Sequence, residues 1–185
     1  MSCRILRAVK NRYGSTNEFG VFEMIDKGLN EVANPSVMLL SGRPKNVSGT
    51  CVTCTIEGSR PILAETQGLA TQSGYGNARR MVTGYDYNRL SMVLAVLEKR
   101  AGYYFSSCDA YIYIVGGLRV DEPAIDLSIA IALISSLKDT PIDENAVVFG
   151  EIGLAGEIRA VSNAQMRINE AVDSALQKSF CRIII

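Results

Sequence analysis

The sequence predicts an α+β fold, a mixed sheet packed with helices, on three observations. The first is the stretch Tyr111 to Ser136, YIYIVGGLRVDEPAIDLSIAIALISS, which runs from a strand through Gly116-Gly117 into a helix with almost no polar side between Leu127 and Ile134. The second is a pair of strands, Val47 to Ile56 and Pro61 to Thr71, joined at Gly58-Ser59. The third is a helix whose apolar residues Leu90, Val93, Leu94 and Leu97 recur at i, i+3, i+4 and i+7.

Each remaining element follows from a local signal. Ile5, Leu6, Ala8 and Val9 suggest a strand, Asn11 to Phe19 a polar turn region and Gly20 to Met24 a second strand, which together make a hairpin. Asn34-Pro35 to Pro44, with two prolines and a Ser-Gly pair, reads as a linker. Gln72 to Gly84 is polar and glycine-containing, long enough for a functional loop. Asp86 or Asn88 caps the helix through Leu90, which ends with Glu98-Lys99-Arg100 and Gly102. Asp121, Glu122 and Pro123 suit the start of the core helix, where unpaired N–H groups favour negative charge and proline has no N–H to lose. Ala146 to Phe149 is a strand and Gly150 to Ile158 a glycine-rich hairpin. The last helix begins near Ser162, where Ser162-x-x-Gln165 has the form of a capping box, and carries Ala164, Ile168, Ala171, Val172 and Ala175 along one face.

Composition excludes several chemistries. The 185 residues include no histidine, which rules out Ser-His-Asp and Cys-His catalysis and histidine metal sites. Lys+Arg and Asp+Glu both number 19, so no global field draws the chain to nucleic acid or a membrane, and any DNA contact requires a local basic patch. The most apolar run falls far short of the roughly 20 residues of a membrane span, and a soluble, cytoplasmic protein with no membrane partner is expected. The cysteines, Cys3, Cys51, Cys54, Cys108 and Cys181, are odd in number and scattered in apolar stretches, as reduced buried thiols are. Cys51 and Cys54 stand three apart in a strand and so point to opposite faces, unsuited to sharing a metal.

A strand, a loop and Pro123 opening an apolar helix, followed by a GE-rich hairpin and another helix, resemble the C-terminal domain of the Lon peptidases. In that family a nucleophilic serine follows the proline and a lysine near the start of the next long helix takes its proton. The matching positions here hold Ala124 and Gln165, so the resemblance implies a Lon-type domain without its Ser-Lys dyad and with no catalytic residue as a peptidase.

The run LRAVKNRYGSTNEFGVFEM, with Lys10-Asn11-Arg12-Tyr13-Gly14, resembles the end of the ATPase domain in the bacterial RadA (Sms) family, whose KNRFG signature is followed directly by a Lon-like domain. The resemblance implies residues 1–34 as the tail of a RecA-like ATPase domain, 35–45 as linker and 46–185 as the Lon-like domain. It further implies a DNA-dependent ATPase driving branch migration in recombination and repair as a hexameric ring on single-stranded or branched DNA, with the RecA recombinase a candidate partner. Lys10 and Arg12 would reach a neighbouring subunit's ATP, whereas Asn11 and Gly14 shape the loop; a solvated turn is the plainer reading of the two cations. ATP with magnesium, and zinc, belong to upstream domains of that family. This sequence has no G-x-x-x-x-G-K-[ST], its opening Met-Ser and apolar RIII ending suggest an excised fragment, and no cofactor is expected in it. Arg79, Arg80 and Arg89 are candidates for the DNA backbone, and Tyr75 and Tyr85 either stack on bases or pack on the sheet. Two rival readings are a structural oligomerisation scaffold that never touches DNA, and a non-cleaving domain that binds peptides in a groove beside Ala124.

Overall fold

Side chains alternate across a strand, so the register of the longest ladder decides which residues meet the helices. The computed structural model of the chain describes residues 3–7, 10, 12–13, 19–26, 28–32, 34–74, 76–175 and 182–184. It opens with an antiparallel sheet of β1 (Cys3–Arg7), β2 (Phe19–Ile25) and β3 (Gly28–Glu31) in that order. The expected hairpin is thus extended by a third strand, whose GLNE sequence carries no apolar alternation to announce it. Asn11 and Gly14 lie outside the described residues.

The stretch read as a linker instead contains helix α1 (Pro35–Leu40). Asn34 accepts the Val37 N–H at 3.1 Å and Pro35 fills the first turn, the usual residues of a helix start. What holds so short a helix is tertiary: the Ser36 hydroxyl is buried, donates to Glu170 at 2.5 Å and accepts the Leu63 N–H at 2.9 Å.

The main sheet contains β4 (Thr50–Glu57), β5 (Arg60–Gln72), β6 (Arg80–Thr83), β7 (Cys108–Ile114), β8 (Ala146–Val148) and β11 (Arg182–Ile184). Its order is β11-β8-β4-β5-β7-β6, with the β4–β5 and β5–β7 pairings antiparallel and the β11–β8, β8–β4 and β7–β6 pairings parallel, so the sheet is mixed. Strand β6 arises within the stretch read as a loop; only four residues long, its pattern is too short to show, and it is made by pairing with β7. Between β8 and β11 lie the small hairpin β9 (Glu151–Ile152) and β10 (Ile158–Arg159), then helix α4 (Ala164–Ala175).

Helix α2 (Tyr87–Ala101) follows β6, starting from Asp86, whose side chain accepts the Arg89 N–H at 2.8 Å, and ending at Gly102 in the left-handed region. Leu90, Val93, Leu94 and Leu97 are all buried, joining Ile112, Ile114, Ile129 and Leu133 in the main core. Helix α3 (Asp126–Lys138) is the core helix, and burying each Leu or Ile on it contributes about 1.5–3 kcal/mol. Its close approach to β5 depends on Gly68, where a Cβ would stand 3.0 Å from the Leu133 nitrogen and 3.2 Å from the Ala132 carbonyl carbon. On the sheet's other face Val52, Cys54 and Leu63 pack with Phe149 and with Ala171 of α4. Among the described residues no helix is long and apolar enough to cross a membrane.

Candidate functional site

Acidic residues at the head of an apolar helix need partners if they are buried, and two arginines supply them here. The chain enters α3 through a single 3-10 turn, Pro123–Ile125, flanked by Glu122 and Asp126. Arg167 of α4 is wholly buried and meets Glu122 with both terminal nitrogens, at 2.9 and 2.6 Å; it also donates to the carbonyls of Cys54 and Ser162. Glu122 further accepts the Thr55 hydroxyl at 2.8 Å and the Ile56 N–H at 2.7 Å. On the far side Arg89 of α2 binds Asp126 through Nε at 2.8 Å and Nη2 at 2.6 Å, while Tyr85 donates its hydroxyl to the same carboxylate at 2.6 Å. The β9 hairpin joins this cluster: Ile152 N–H donates to Asp126 at 3.2 Å, Gly150 N–H to the Ala124 carbonyl at 2.7 Å, and Glu151 lies 3.6 Å from Arg89.

The charges are settled by these contacts. Burial alone would raise Glu122, but hydrogen bonds from Arg167, Ile56 and Thr55, with the arginine's charge, outweigh it and hold the carboxyl below the usual range. Burial, then the charge and hydrogen bond of Asp126, push the Tyr85 phenol upward, so it remains a donor. The hydrogen bond to Asp126 raises Arg89 further.

This arrangement supplies no peptidase chemistry. Ala124 is 2% exposed in the turn between the two ion pairs, and its methyl group has no nucleophilic atom. Gln165 is exposed on α4 and donates to Asn169 at 3.0 Å, so the expected reach back to the Ser162 amide is replaced by an i, i+4 contact along the helix. Its helix begins two residues after Ser162, past Asn163 in the left-handed region. The cation that α4 presents to the turn is Arg167, permanently charged and unable to act as a base. Ser128 donates to its own backbone at Ile125 O, 2.8 Å.

The cations singled out in the sequence are in different situations. Lys10 and Arg12 are exposed in the β1–β2 connection. Arg79 is exposed, its N–H held by Asp109 at 2.8 Å. Arg80 instead spends its guanidinium on the carbonyls of Phe105, Cys108 and Arg79, bracing the approach to β7. Arg89 is bound in the Asp126 cluster described above. Tyr85 is buried, which resolves its two readings in favour of packing; Tyr75 lies outside the described residues. Cys51 and Cys54 sit in different core clusters on opposite faces of β4, and burial pushes each thiol up to about 12. Among the described residues no group of three or more His, Cys, Asp or Glu gathers around a possible metal position.

Sequence reasoning missed Arg167, Glu122 and Asp126 as a unit, although a signal was present. Arg167 stands with Ala164, Ile168 and Ala171 on the apolar face of α4, and Asp126 with Ile129, Ala130 and Leu133 on the buried face of α3. A lone charge in an apolar stripe calls for a buried partner.

Comparison with known proteins places the chain in a family. A family model described as subunit ChlI of Mg-chelatase matches residues 90–184. A protein of Halalkalibacterium halodurans named DNA repair protein RadA is 52% identical over 182 residues, 98% of this chain and 39% of the relative. Proteins with the same name are 53% identical over 177 residues in Streptococcus pyogenes (96% of this chain, 39% of the relative) and 49% identical over 178 residues in Synechocystis (96% and 35%). The chain therefore spans well under half the length of these relatives. It belongs to the family described as subunit ChlI of Mg-chelatase and is homologous, along nearly all of its length, to the DNA repair protein RadA.

Proposed function

We propose that this chain is the Lon-like part of a RecA-like, DNA-dependent ATPase that acts in recombination and repair by driving branch migration. Residues 1–34 close the ATPase domain, 35–45 connect, and 46–185 form a Lon-type domain that has lost proteolysis and serves ring assembly and DNA contact. The observation that supports this reading is the turn at Ala124, the residue that the resemblance matches to a peptidase nucleophile: it carries only a methyl group and is clamped by Glu122–Arg167 and Asp126–Arg89. Similarity along nearly all of this chain to proteins named for DNA repair supports the rest.

In this reading ATP, magnesium and zinc are handled by upstream domains, and the protein works in the cytoplasm as a hexameric ring on single-stranded or branched DNA, with the RecA recombinase a partner. Lys10 and Arg12 extend from the β1–β2 connection to a neighbour's ATP, where an arginine stabilises charge on the transferring phosphoryl group. Of the other arginines, Arg79 is the one for a DNA phosphate, while Arg80 braces the approach to β7 and Arg89 holds Asp126.

The test is a chimera in which this chain replaces the matching stretch of the Halalkalibacterium halodurans relative. Arg12→Ala should lower ATP turnover by about a thousandfold or more. Mixing it with subunits that retain Arg12 but lack a functional P-loop should restore part of the activity. Unchanged turnover in Arg12→Ala, or no rescue on mixing, overturns the in-trans role.

A further inference from the structure

The pairing register places Met81, Tyr111 and Leu69 in one row across β6, β7 and β5, and Thr83, Tyr113, Gln67 and Thr50 in the next, which continues onto β4. These side chains share a face opposite the one on which Ala110, Ile112 and Ile114 enter the core. Among the described residues, helices α1 and α4 pack on that face over Val52, Cys54 and Leu63, against which Leu40, Ala164 and Ile168 lie. Beyond them Leu69 is 56%, Met81 60% and Tyr113 43% exposed, and the face forms an open groove of about 410 Å³. Neither the ion-paired turn nor α3 uses it.

We propose that this face is a stacking platform for single-stranded nucleic acid, with Tyr111 and Tyr113 against bases and Arg79 against a phosphate. The proposal rests on the DNA-contacting reading above and names the surface that makes the contact. Two residues apart on one strand, the tyrosines are spaced by about 7 Å, roughly twice the ~3.4 Å rise of a nucleic-acid strand. The rings therefore match alternate bases. Between them stand uncharged hydrogen-bonding groups, Gln67, Thr50 and Thr83, and neither row contains an acidic side chain. The nearest carboxylates are engaged: Glu65 is buried and accepts the Gln67 amide at 2.9 Å, and Asp109 accepts the Arg79 N–H at 2.8 Å. Arg79 immediately precedes β6, is exposed, and is held by its N–H to Asp109, two residues before Tyr111 on β7. Aromatic faces whose own rows hold no acidic side chain, beside an exposed arginine, suit a polyanion whose bases offer π surfaces.

The experiment measures binding of the 185-residue chain to a dye-labelled single-stranded 20-mer by fluorescence anisotropy across a salt series, with light scattering in parallel. Tyr113→Ala should weaken binding by roughly 5- to 150-fold at each salt concentration with an unchanged salt slope. Tyr113→Trp should restore it, and Arg79→Ala should reduce the slope by about 0.7. Wild-type affinity in Tyr113→Ala overturns the platform and leaves the DNA-contacting reading standing. No binding by the wild-type chain at low salt overturns both. A change of particle mass in Tyr113→Ala with DNA affinity intact makes the face a protein interface and likewise overturns the proposal.

Discussion

Replacing Arg167 by alanine should remove a large part of the domain's stability. The side chain is completely buried, and its guanidinium binds both oxygens of Glu122 together with the carbonyls of Cys54 and Ser162. Truncation leaves Glu122 only its Thr55 and Ile56 contacts and removes the donor to the Cys54 carbonyl, and breaking from one side an ion pair whose arginine is fully buried costs about 3–5 kcal/mol. For a chain of this size that is a Tm decrease of roughly 6–20 °C. Urea denaturation followed by circular dichroism at pH 7, with the m-value unchanged, is the assay. Glu122→Gln should be nearly as damaging, because it leaves a buried guanidinium without a countercharge. The double variant Glu122→Gln/Arg167→Met should recover at least half of the summed loss. The pH dependence has a fixed sign. With the folded pKa of Glu122 depressed, its contribution is complete above the unfolded carboxyl value of about 4.3 and is lost as pH falls through the folded value. The gap between wild type and Arg167→Ala should therefore narrow below about pH 4. A loss under ~1 kcal/mol at pH 7, or full additivity in the double variant, would refute the clamp.

Three further outcomes are expected. Tyr85→Phe removes a buried hydrogen bond to the Asp126 carboxylate and should cost about 1.5–3 kcal/mol by the same denaturation assay; a neutral effect would mean that the contact is idle. Gly68→Ala forces a methyl group against the α3 backbone at Leu133, and a loss of about 1–3 kcal/mol is expected, whereas a gain would show that helix and strand separate freely. Ala124→Ser with Gln165→Lys should not restore peptide hydrolysis in a fluorogenic casein assay, because Gln165 is exposed along α4 while Arg167 occupies the turn; measurable cleavage would show that the dyad geometry survives.

Much of the fold was legible because its signals are local. The 3.6-residue stripe of α2, its Asp86 cap and Gly102 stop, the apolar body of α3 and the turn between β4 and β5 each depend on residues a few positions apart. Cys51 and Cys54 were assigned to opposite faces by strand alternation alone, and the total lack of histidine closed whole classes of chemistry. The KNRYG run and the proline before Ala124 were legible as family resemblance, though resemblance could not say which side chains occupy the turn. Strand β6 and helix α1 were illegible: four and six residues hold too little periodicity, and each exists through what it docks against, β7 in one case and Leu63 with Glu170 in the other.

The candidate site divides in the same way. The sequence by itself determined that neither Ala124 nor Gln165 can supply a nucleophile or a general base, since they lack the necessary atoms in any conformation. Only the tertiary structure decided what surrounds the turn at Ala124. Glu122 and Arg167 are 45 residues apart, Asp126 and Arg89 37, and a charge's partner at such separations is set by how α2 and α4 pack around α3. Packing decided the surroundings of the other candidates: Tyr85 is buried and Arg89, partly exposed, is tied to Asp126, whereas Tyr113 and Arg79 are exposed. Composition and spacing fix what each group can do, but the free energy of taking it out of water depends on neighbours supplied by the whole chain.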